Sequence, residues 1–205
     1  MTASSEPTRI RRPRREDVRH RLLVAALDVF SRHGYDRTSL EQVAASAGFS
    51  KGAVYSNFAS KDELFLALMD QQVQVRIDHA REALARERES GPVGQVVGDR
   101  LTVALAEDRE WQLLFLDYVQ RAARAPAVRE QFAAHRQHVR GIIANAFREI
   151  ADPAEKGASS LDVDQLATTV LALSNGLAIE RLIDPDAVPG DLLGRILQIL
   201  QPARE

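Results

Sequence analysis

The sequence predicts an all-α protein of about nine helices, with an N-terminal three-helix head and a larger helical body. Apolar residues recur at helical spacing through most of the 205 residues. No segment of useful length alternates apolar and polar residues in the manner of a strand. Residues 61–88 contain neither glycine nor proline, so one long helix can run through them. These observations together favour helices throughout.

The first predicted helix spans residues 15–33 and ends at Gly34, a common stop signal. Its apolar residues share one face, as expected for a helix that packs on a core. The residues of this face are Val18, Leu22, Ala25, Ala26, Val29 and Phe30.

The second predicted helix lies at the start of residues 38–65. Thr38 and Glu41 have the T-x-x-E spacing of a capping box, so the helix should begin near Leu40. Gly48 is placed where the chain must leave this helix, and glycine tolerates the positive φ that such an exit often requires. A short helix that ends in a tight turn follows from these signals.

The third predicted helix spans residues 51–58, and Ser50 can cap its first turn. Ser60 and Glu63 repeat the capping-box spacing and open a fourth helix at Lys61. Two short helices joined by a tight turn are the layout of a helix-turn-helix, which reads the major groove of DNA.

The charge distribution agrees with a head that binds DNA. Residues 1–60 contain ten Lys/Arg and six Asp/Glu, whereas residues 61–205 contain seventeen and twenty-three. An acidic body is repelled by phosphate and should face away from a duplex. The polar segment 1–14 is predicted to be a flexible basic arm. It is either a solubilising tail or an arm that reaches phosphates or the minor groove through Arg9, Arg11, Arg12 and Arg14.

The body is predicted to contain the long helix 61–88 and five more helices. Their predicted ranges are 92–106, 109–124, 127–150, 162–184 and 188–200, with a loop over 152–161 and a turn at 184–186. The resulting domain prediction is an arm at 1–14, a DNA-binding domain at 15–60, and a ligand-binding and dimerisation domain at 61–205.

The composition argues against several protein classes. The absence of cysteine excludes disulfides, thiol redox chemistry and zinc fingers. His135 and His138 share a helix face but lack accompanying carboxylates, so a pocket wall or solvated face is a better interpretation than a metal site. We expect neither an enzyme nor a cofactor. With no apolar run of about 18 residues and no signal-like segment, we expect a cytoplasmic protein with no membrane partner.

The segment TSLEQVAASAGFSKGAVYSNFASKDEL resembles the head of the tetracycline-repressor (TetR) family. It departs from the common form at Ser56, where an aromatic residue is usual, and at Asn57, where His or Tyr is frequent. The segment NGLAIERLIDPDAV, residues 175–188, is similar to the penultimate, dimer-forming helix of many members. The resemblance implies a homodimeric transcriptional regulator, a repressor that a small-molecule effector releases from a palindromic operator.

The resemblance also implies which residues contact DNA. Tyr55 and Asn57 would project toward the groove, where an amide side chain can pair with an adenine edge. The Tyr55 ring can also pack within the head while its hydroxyl reaches a phosphate. The complete implied set is Thr38, Ser39, Ser50, Lys51, Gly52, Ala53, Tyr55, Asn57 and Lys61.

An aromatic cluster at 111–118 has two interpretations. Ordinary hydrophobic core explains most of it. The alternative is a cavity for a largely apolar effector, because Asn175 lies in an otherwise apolar helix and needs a polar partner. That partner is a ligand, a water or the second subunit. The predicted lining is Trp111, Phe115, Tyr118, Phe132, His135, Ile142 and Asn175.

The last two helices are predicted to form the dimer interface as an intersubunit four-helix bundle. The predicted contacts are Leu166, Val170, Leu173, Leu177, Leu193, Ile196, Leu197 and Leu200. Two alternatives stay open: a DNA-binding dimer with no ligand response, and a helical enzyme whose head does not bind DNA.

Overall fold

The computed structural model describes residues 14–86, 93–107, 109–150 and 161–200. Across these ranges the chain forms nine α-helices and no strand, which confirms the predicted fold class. The predicted arm apart from Arg14, and the predicted 152–161 loop apart from its last residue, lie outside these ranges. The helices are α1 (Arg15–His33), α2 (Leu40–Ser46), α3 (Lys51–Tyr55), α4 (Lys61–Arg86), α5 (Val93–Glu107), α6 (Arg109–Arg124), α7 (Pro126–Ile150), α8 (Val163–Ile183) and α9 (Leu192–Leu200).

Two predicted helix boundaries are wrong by more than two residues. α3 ends at Tyr55 instead of residue 58, because the chain tightens into a turn in which Asn57 N donates to Val54 O at 3.0 Å. α9 begins at Leu192 instead of residue 188, because Pro189 and Gly190 belong to the preceding turn. Proline disfavours helix in the residue before it, so the turn extends past the predicted start.

The capping box of α2 lies one residue later than predicted. Ser39 Oγ accepts a hydrogen bond from Gln42 N at 3.2 Å, and Gln42 Oε1 accepts one from Ser39 N at 2.7 Å. Thr38 instead donates its hydroxyl to Gly34 O at 2.9 Å. Both T-x-x-E and S-x-x-Q fit the capping pattern, so the helix start is correct although the capping pair is not.

Three arginines of α1 hold the ends of the two short helices. The last carbonyls of a helix have no partner within the helix, and a guanidinium can supply one. Two of these arginines also lie over aromatic rings, Arg19 over Phe58 at 4.4 Å and Arg21 over Phe49 at 4.5 Å. Part of the positive charge of the head is therefore structural. The donated bonds are Arg15 to Ser56 O at 3.2 Å, Arg19 to Asn57 O at 3.2 Å and Arg21 to Ala47 O at 3.1 Å.

Two hydrophobic clusters form the core, and the first extends from the head into the body. It joins Phe30 of α1 and Val43 of α2 to Phe65 of α4 and Tyr118 of α6. The head therefore packs on the start of α4 and on α6. The second cluster lies within the body and includes Ala80, Val97, Phe147, Val170, Leu193 and Leu197.

α5 and α9 cross at two glycines. A methyl group added at Gly98 would lie 2.3 Å from the Cα of Gly194, and one added at Gly194 would lie 2.4 Å from Asp99 Oδ1. Such distances are far below van der Waals contact, so no larger residue fits without separating the helices. The crossing brings Leu193 and Leu197 of α9 into the second cluster.

α8 is long and apolar enough, by length and composition, to cross a membrane, with a mean hydropathy of 1.3 over its most apolar window. The expectation that the sequence contains no such run is therefore too strong. In the structure α8 packs on α7 and α5, and its buried residues include Ala167, Val170 and Ala178. Much of its remaining apolar surface lies on the outside of the protein.

The crossing of α5 and α9 predicts that Gly98→Ala destabilises the protein by about 1–3 kcal/mol, because overpacking forces the backbones apart. Gly141→Ala is the matched control, since that glycine lies in α7 with no atom within 4 Å of the added methyl group. The control should raise stability by roughly 0.5–1 kcal/mol through helix propensity. Urea unfolding of both variants measures the difference, and equal effects would contradict the close crossing.

Candidate nucleic-acid interface and body cavity

The α2–turn–α3 segment has the geometry of a helix-turn-helix. Gly48 occupies the turn with φ of +73°, the left-handed conformation expected from the sequence. Ser50 caps α3 by accepting a hydrogen bond from Ala53 N at 3.3 Å. Val54 lies on the inner face of α3 and is fully buried, and the opposite face of the helix is open to solvent.

Six of the nine residues predicted to contact DNA lie on or beside this open face. Ser50, Lys51, Gly52 and Tyr55 are exposed, and Ser39 and Ala53 are partly exposed. The structure therefore brings them together at one surface, which α2 and α3 share.

The other three predicted DNA contacts are engaged within the head in this structure, and their contact with DNA stays a prediction. Thr38 is 3% exposed, and its hydroxyl donates a hydrogen bond to Gly34 O. The Asn57 amide lies beyond the end of α3 and turns back to donate to Ala53 O at 2.8 Å. Asn57 Oδ1 is buried and has no hydrogen-bond partner among the described residues.

Lys61 is the third of these residues. Its ammonium group donates to Tyr35 O at 2.9 Å and to Asp36 O at 3.2 Å, and it lies 4.3 Å from the centre of the Tyr35 ring. Partial burial lowers its pKa, with Arg121 acting in the same direction and Asp36 opposing. Lys61 thus binds the turn after α1 instead of facing outward.

Glu41 of α2 links two of the exposed α3 residues. Its Oε1 lies 2.7 Å from Lys51 Nζ and accepts a hydrogen bond from Tyr55 Oη at 3.1 Å. The bond from Lys51 is the main reason that the pKa of Glu41 falls to about 2. Sequence reasoning used Glu41 only as a capping residue, and no local pattern indicated that it reaches across the turn.

The junction between head and body centres on Asp62, the second residue of α4. Its Oδ1 accepts hydrogen bonds from Tyr35 Oη at 2.7 Å and from Tyr118 Oη at 3.1 Å. Burial, followed by the interactions with Asp62, raises the pKa of both tyrosines. Arg121 Nε lies 4.0 Å from the same oxygen. One carboxylate thus joins a head residue to a body residue, a role that the sequence did not reveal.

Aromatic rings surround this junction. Phe65 of α4 stacks on Tyr118 at 4.4 Å and on Trp111 at 6.1 Å, measured between ring centroids. The same ring forms T-shaped pairs with Phe30 at 5.5 Å and with Tyr35 at 5.2 Å. Phe65 therefore contacts both the head and the body.

A cavity of about 120 Å³ lies between α4, α5, α6, α7 and α8. Most of its wall is aliphatic or aromatic, and its polar groups come from Arg76, Gln112, Ser174 and Asn175. The apolar wall consists of Val73, Ile77, Ala80, Val97, Leu101, Trp111, Ile143, Ala146, Phe147, Val170 and Leu171. Sequence reasoning missed Gln112 and Ser174, although a polar residue on a buried helix face is a signal for both.

Two of the seven predicted lining residues, Trp111 and Asn175, line this cavity. The other five do not line it. Phe115, Tyr118 and Phe132 belong to or pack against the first core cluster, one or more helical turns closer to the head. His135 and Ile142 also lie off the cavity wall.

His135 of α7 lies against α4. It is 8% exposed and stacks on Phe132, with the ring centroids 6.4 Å apart. Its Nε2 is 2.9 Å from Asp70 Oδ1, although neither atom has an aligned hydrogen bond among the described residues. The proximity is therefore not a well-formed hydrogen bond.

Three of the predicted dimer contacts are buried inside the monomer. Val170, Leu193 and Leu197 are at most 4% exposed and form part of the second core cluster, so they are not available to a second subunit. The other five are partly buried: Leu166, Leu173, Leu177, Ile196 and Leu200. The large apolar residues that these helices expose are Ile179, Ile183 and Ile199, at 37%, 78% and 81%.

Comparisons with known proteins find similarity to bacterial transcriptional regulators along most of the chain. The family model of bacterial regulatory proteins of the tetR family matches residues 22–68, and that of the C-terminal part of BetI-type transcriptional repressors matches residues 95–199. The regulators ArpR and TtgR of Pseudomonas putida are each 31% identical over 202 residues, covering 91% of this chain and 90% of each relative. The crystal structure of a TetR-family regulator from Rhodococcus sp. has a TM-score of 0.66 at 20% identity, covering 89% of this chain and 95% of that one.

The junction predicts that Tyr118→Phe lowers the free energy of unfolding by about 1–2 kcal/mol, because the ring stays while a hydrogen bond to a carboxylate is lost. Tyr55→Phe is the matched control, since the exposed Tyr55 hydroxyl bonds an exposed carboxylate and its loss should cost little. Chemical denaturation measures both variants. Tyr35→Phe combined with Tyr118→Phe should be non-additive because the two hydroxyls share Asp62. Equal losses at positions 118 and 55 would contradict this role.

Proposed function

Because the chain belongs to the tetR family of bacterial regulatory proteins, and is therefore a DNA-binding transcriptional regulator, we propose that it is a homodimeric repressor with a small-molecule effector. The exposed face of α3 binds the major groove of an operator. The body cavity binds the effector, which weakens the hold on DNA. The relatives are transcriptional regulators, so the alternative of an enzyme is set aside.

The observation that carries the DNA-binding surface is the exposure of Lys51, Gly52 and Tyr55 on α3 above a buried Val54. Lysine can bind phosphate, glycine allows close approach of the backbone, and a tyrosine hydroxyl can bond to phosphate or a base edge. Ser39 and Ser50 lie beside them and complete the proposed surface. Thr38, Asn57 and Lys61 are removed from it and assigned to holding the head together.

The cavity suits a small, largely apolar effector that also carries hydrogen-bonding groups. An engineered apolar cavity of about 150 Å³ is known to bind benzene, so about 120 Å³ fits a ligand of similar or smaller size without rearrangement. Arg76 of α4, Gln112 of α6, and Ser174 and Asn175 of α8 supply the polar groups of the wall. Asn175 is partly exposed on this wall and can bond to the effector.

α4 supports a route from the cavity to the DNA surface. Val73, Ile77 and Ala80 of this helix line the cavity, while Asp62 and Phe65 at its start contact the head. The helix has 26 residues and is roughly 39 Å long. An effector that pushes on the cavity wall tilts α4 and changes the separation of the two heads, which must match half-sites about 34 Å apart.

The outer faces of α8 and α9 are proposed as the dimer interface, with a set of contacts different from the predicted one. On α8, Ala172, Gly176, Ile179 and Ile183 are exposed at helical spacing, and α9 exposes Ile199. The small residues allow two copies of α8 to approach closely, and the isoleucines contribute apolar area. A two-fold axis there presents two copies of α3, the reader helix of each subunit, to a palindromic operator.

The proposed DNA surface predicts that Lys51→Ala weakens binding to an operator duplex and flattens the salt dependence of log K on that duplex by about 0.9 for each reader helix. Arg32→Ala is the control, because Arg32 is an exposed head cation on α1 that pairs with Asp28. Fluorescence anisotropy at several salt concentrations measures both variants. Equal slopes for Lys51→Ala and Arg32→Ala would place the phosphate contacts elsewhere.

The proposed effector site predicts that Ala146→Leu fills the cavity. Small aromatic probes such as phenol should stabilise the wild-type protein against heat, since a ligand that binds the folded state shifts its melting temperature. In Ala146→Leu that shift should be lost while DNA binding is kept. Ala134→Leu, the same change on the exposed face of α7, should keep the shift. If no probe stabilises any of the proteins, the dimer without ligand response is favoured.

A further inference from the structure

We propose that Glu41 is a specificity-determining residue that weakens binding to non-cognate DNA by holding Lys51 and Tyr55 away from phosphates. This inference rests on the proposed function in one respect, because it requires the exposed face of α3 to be the DNA-binding surface. It concerns a residue of α2, outside the reader helix itself.

The geometry joins three side chains across the turn of the helix-turn-helix. Glu41 Oε1 is 2.7 Å from Lys51 Nζ and accepts the hydroxyl hydrogen of Tyr55 at 3.1 Å. The Lys51 ammonium group also lies 5.5 Å from the centre of the Tyr55 ring. Lys51 and Tyr55, two of the side chains best placed to meet DNA, thus share one carboxylate as a partner in the free protein.

This arrangement removes charge from the surface that must attract phosphate. The hydrogen bond from Lys51 lowers the pKa of Glu41 to about 2, so the carboxylate is ionised at every physiological pH. The ion pair formed by Glu41 and Lys51 has no net charge, and Tyr55 donates its hydroxyl hydrogen to the same oxygen. A phosphate that approaches Lys51 must compete with an anion already in place.

The pair can nevertheless be exchanged. The Lys51 and Glu41 side chains are 68% and 41% exposed, and an ion pair in that setting is weak because water screens it. An operator that offers base contacts to α3 compensates for separating the pair. A non-cognate duplex offers only phosphates, so there Lys51 stays with Glu41 and one phosphate contact is missing. The ratio of the affinity for the operator to the affinity for non-cognate DNA rises as a result.

Glu41→Gln tests the inference, because it removes the charge and keeps a side chain of the same shape. Asp28→Asn is the matched control. It makes the same change in net charge and breaks an exposed head ion pair, Asp28 with Arg32 at 2.7 Å, on α1. Binding to a random-sequence duplex, and to a cognate duplex selected from a random pool by the wild-type protein, is measured across a series of salt concentrations.

We expect Glu41→Gln to bind the random duplex several-fold more tightly than Asp28→Asn does, with a salt slope steeper by about 0.9 for each reader helix. The gain on the cognate duplex should be smaller, so the specificity ratio falls. In a Lys51→Ala background, Glu41→Gln should give no further gain beyond that of Asp28→Asn.

Two other outcomes separate the inference from the proposed function. If Lys51→Ala weakens binding but Glu41→Gln behaves as Asp28→Asn does, the role of Glu41 is overturned and the α3 surface stands. If neither Lys51→Ala nor Glu41→Gln changes the affinity or slope relative to its control, the α3 surface itself is wrong. Weaker binding of Glu41→Gln to both duplexes would mean that Glu41 only positions Tyr55, which also overturns the inference.

Discussion

The carboxylate of Asp62 joins the two halves of this molecule. It accepts one hydrogen bond from Tyr35, which follows α1 in the head, and one from Tyr118 of α6 in the body. Lys61, the neighbouring residue, donates to two carbonyls of the same head turn. Because α4 begins at this point, the direction in which the helix leaves the head is set by these polar bonds and by the rings packed around them.

Several features of the body depend on that direction. α4 runs from the junction past the cavity, and Phe65 near its start stacks on Trp111 of the cavity wall. A change in the shape of the cavity therefore acts on a helix whose other end is held by hydrogen bonds to the head. Polar bonds of this kind have two useful properties for a switch, since they are directional and they are lost over a short displacement.

The charges of the head serve two separate purposes. Arg15, Arg19 and Arg21 bond carbonyls at the ends of α2 and α3, so they fix the shape of the helix-turn-helix and are only partly available to DNA. Lys51 is exposed on the reader helix but is paired with Glu41. A simple count of basic residues would therefore overstate the attraction between this head and phosphate. The balance between structural and exposed cations sets how strongly the protein holds DNA without regard to sequence.

By itself, the sequence determined the helices and the helix-turn-helix, because caps, glycine stops and apolar periodicity act within a few residues of one another. It also indicated Lys51 and Tyr55 as exposed, because Val54 fixes the buried face of α3. The tertiary structure decided the partners of long side chains: Lys61 meets Tyr35, Tyr118 meets Asp62, and Val170 and Leu193 pack inside the body. These contacts join segments far apart in the chain, and their distances depend on how whole helices pack, which no local pattern of residues contains.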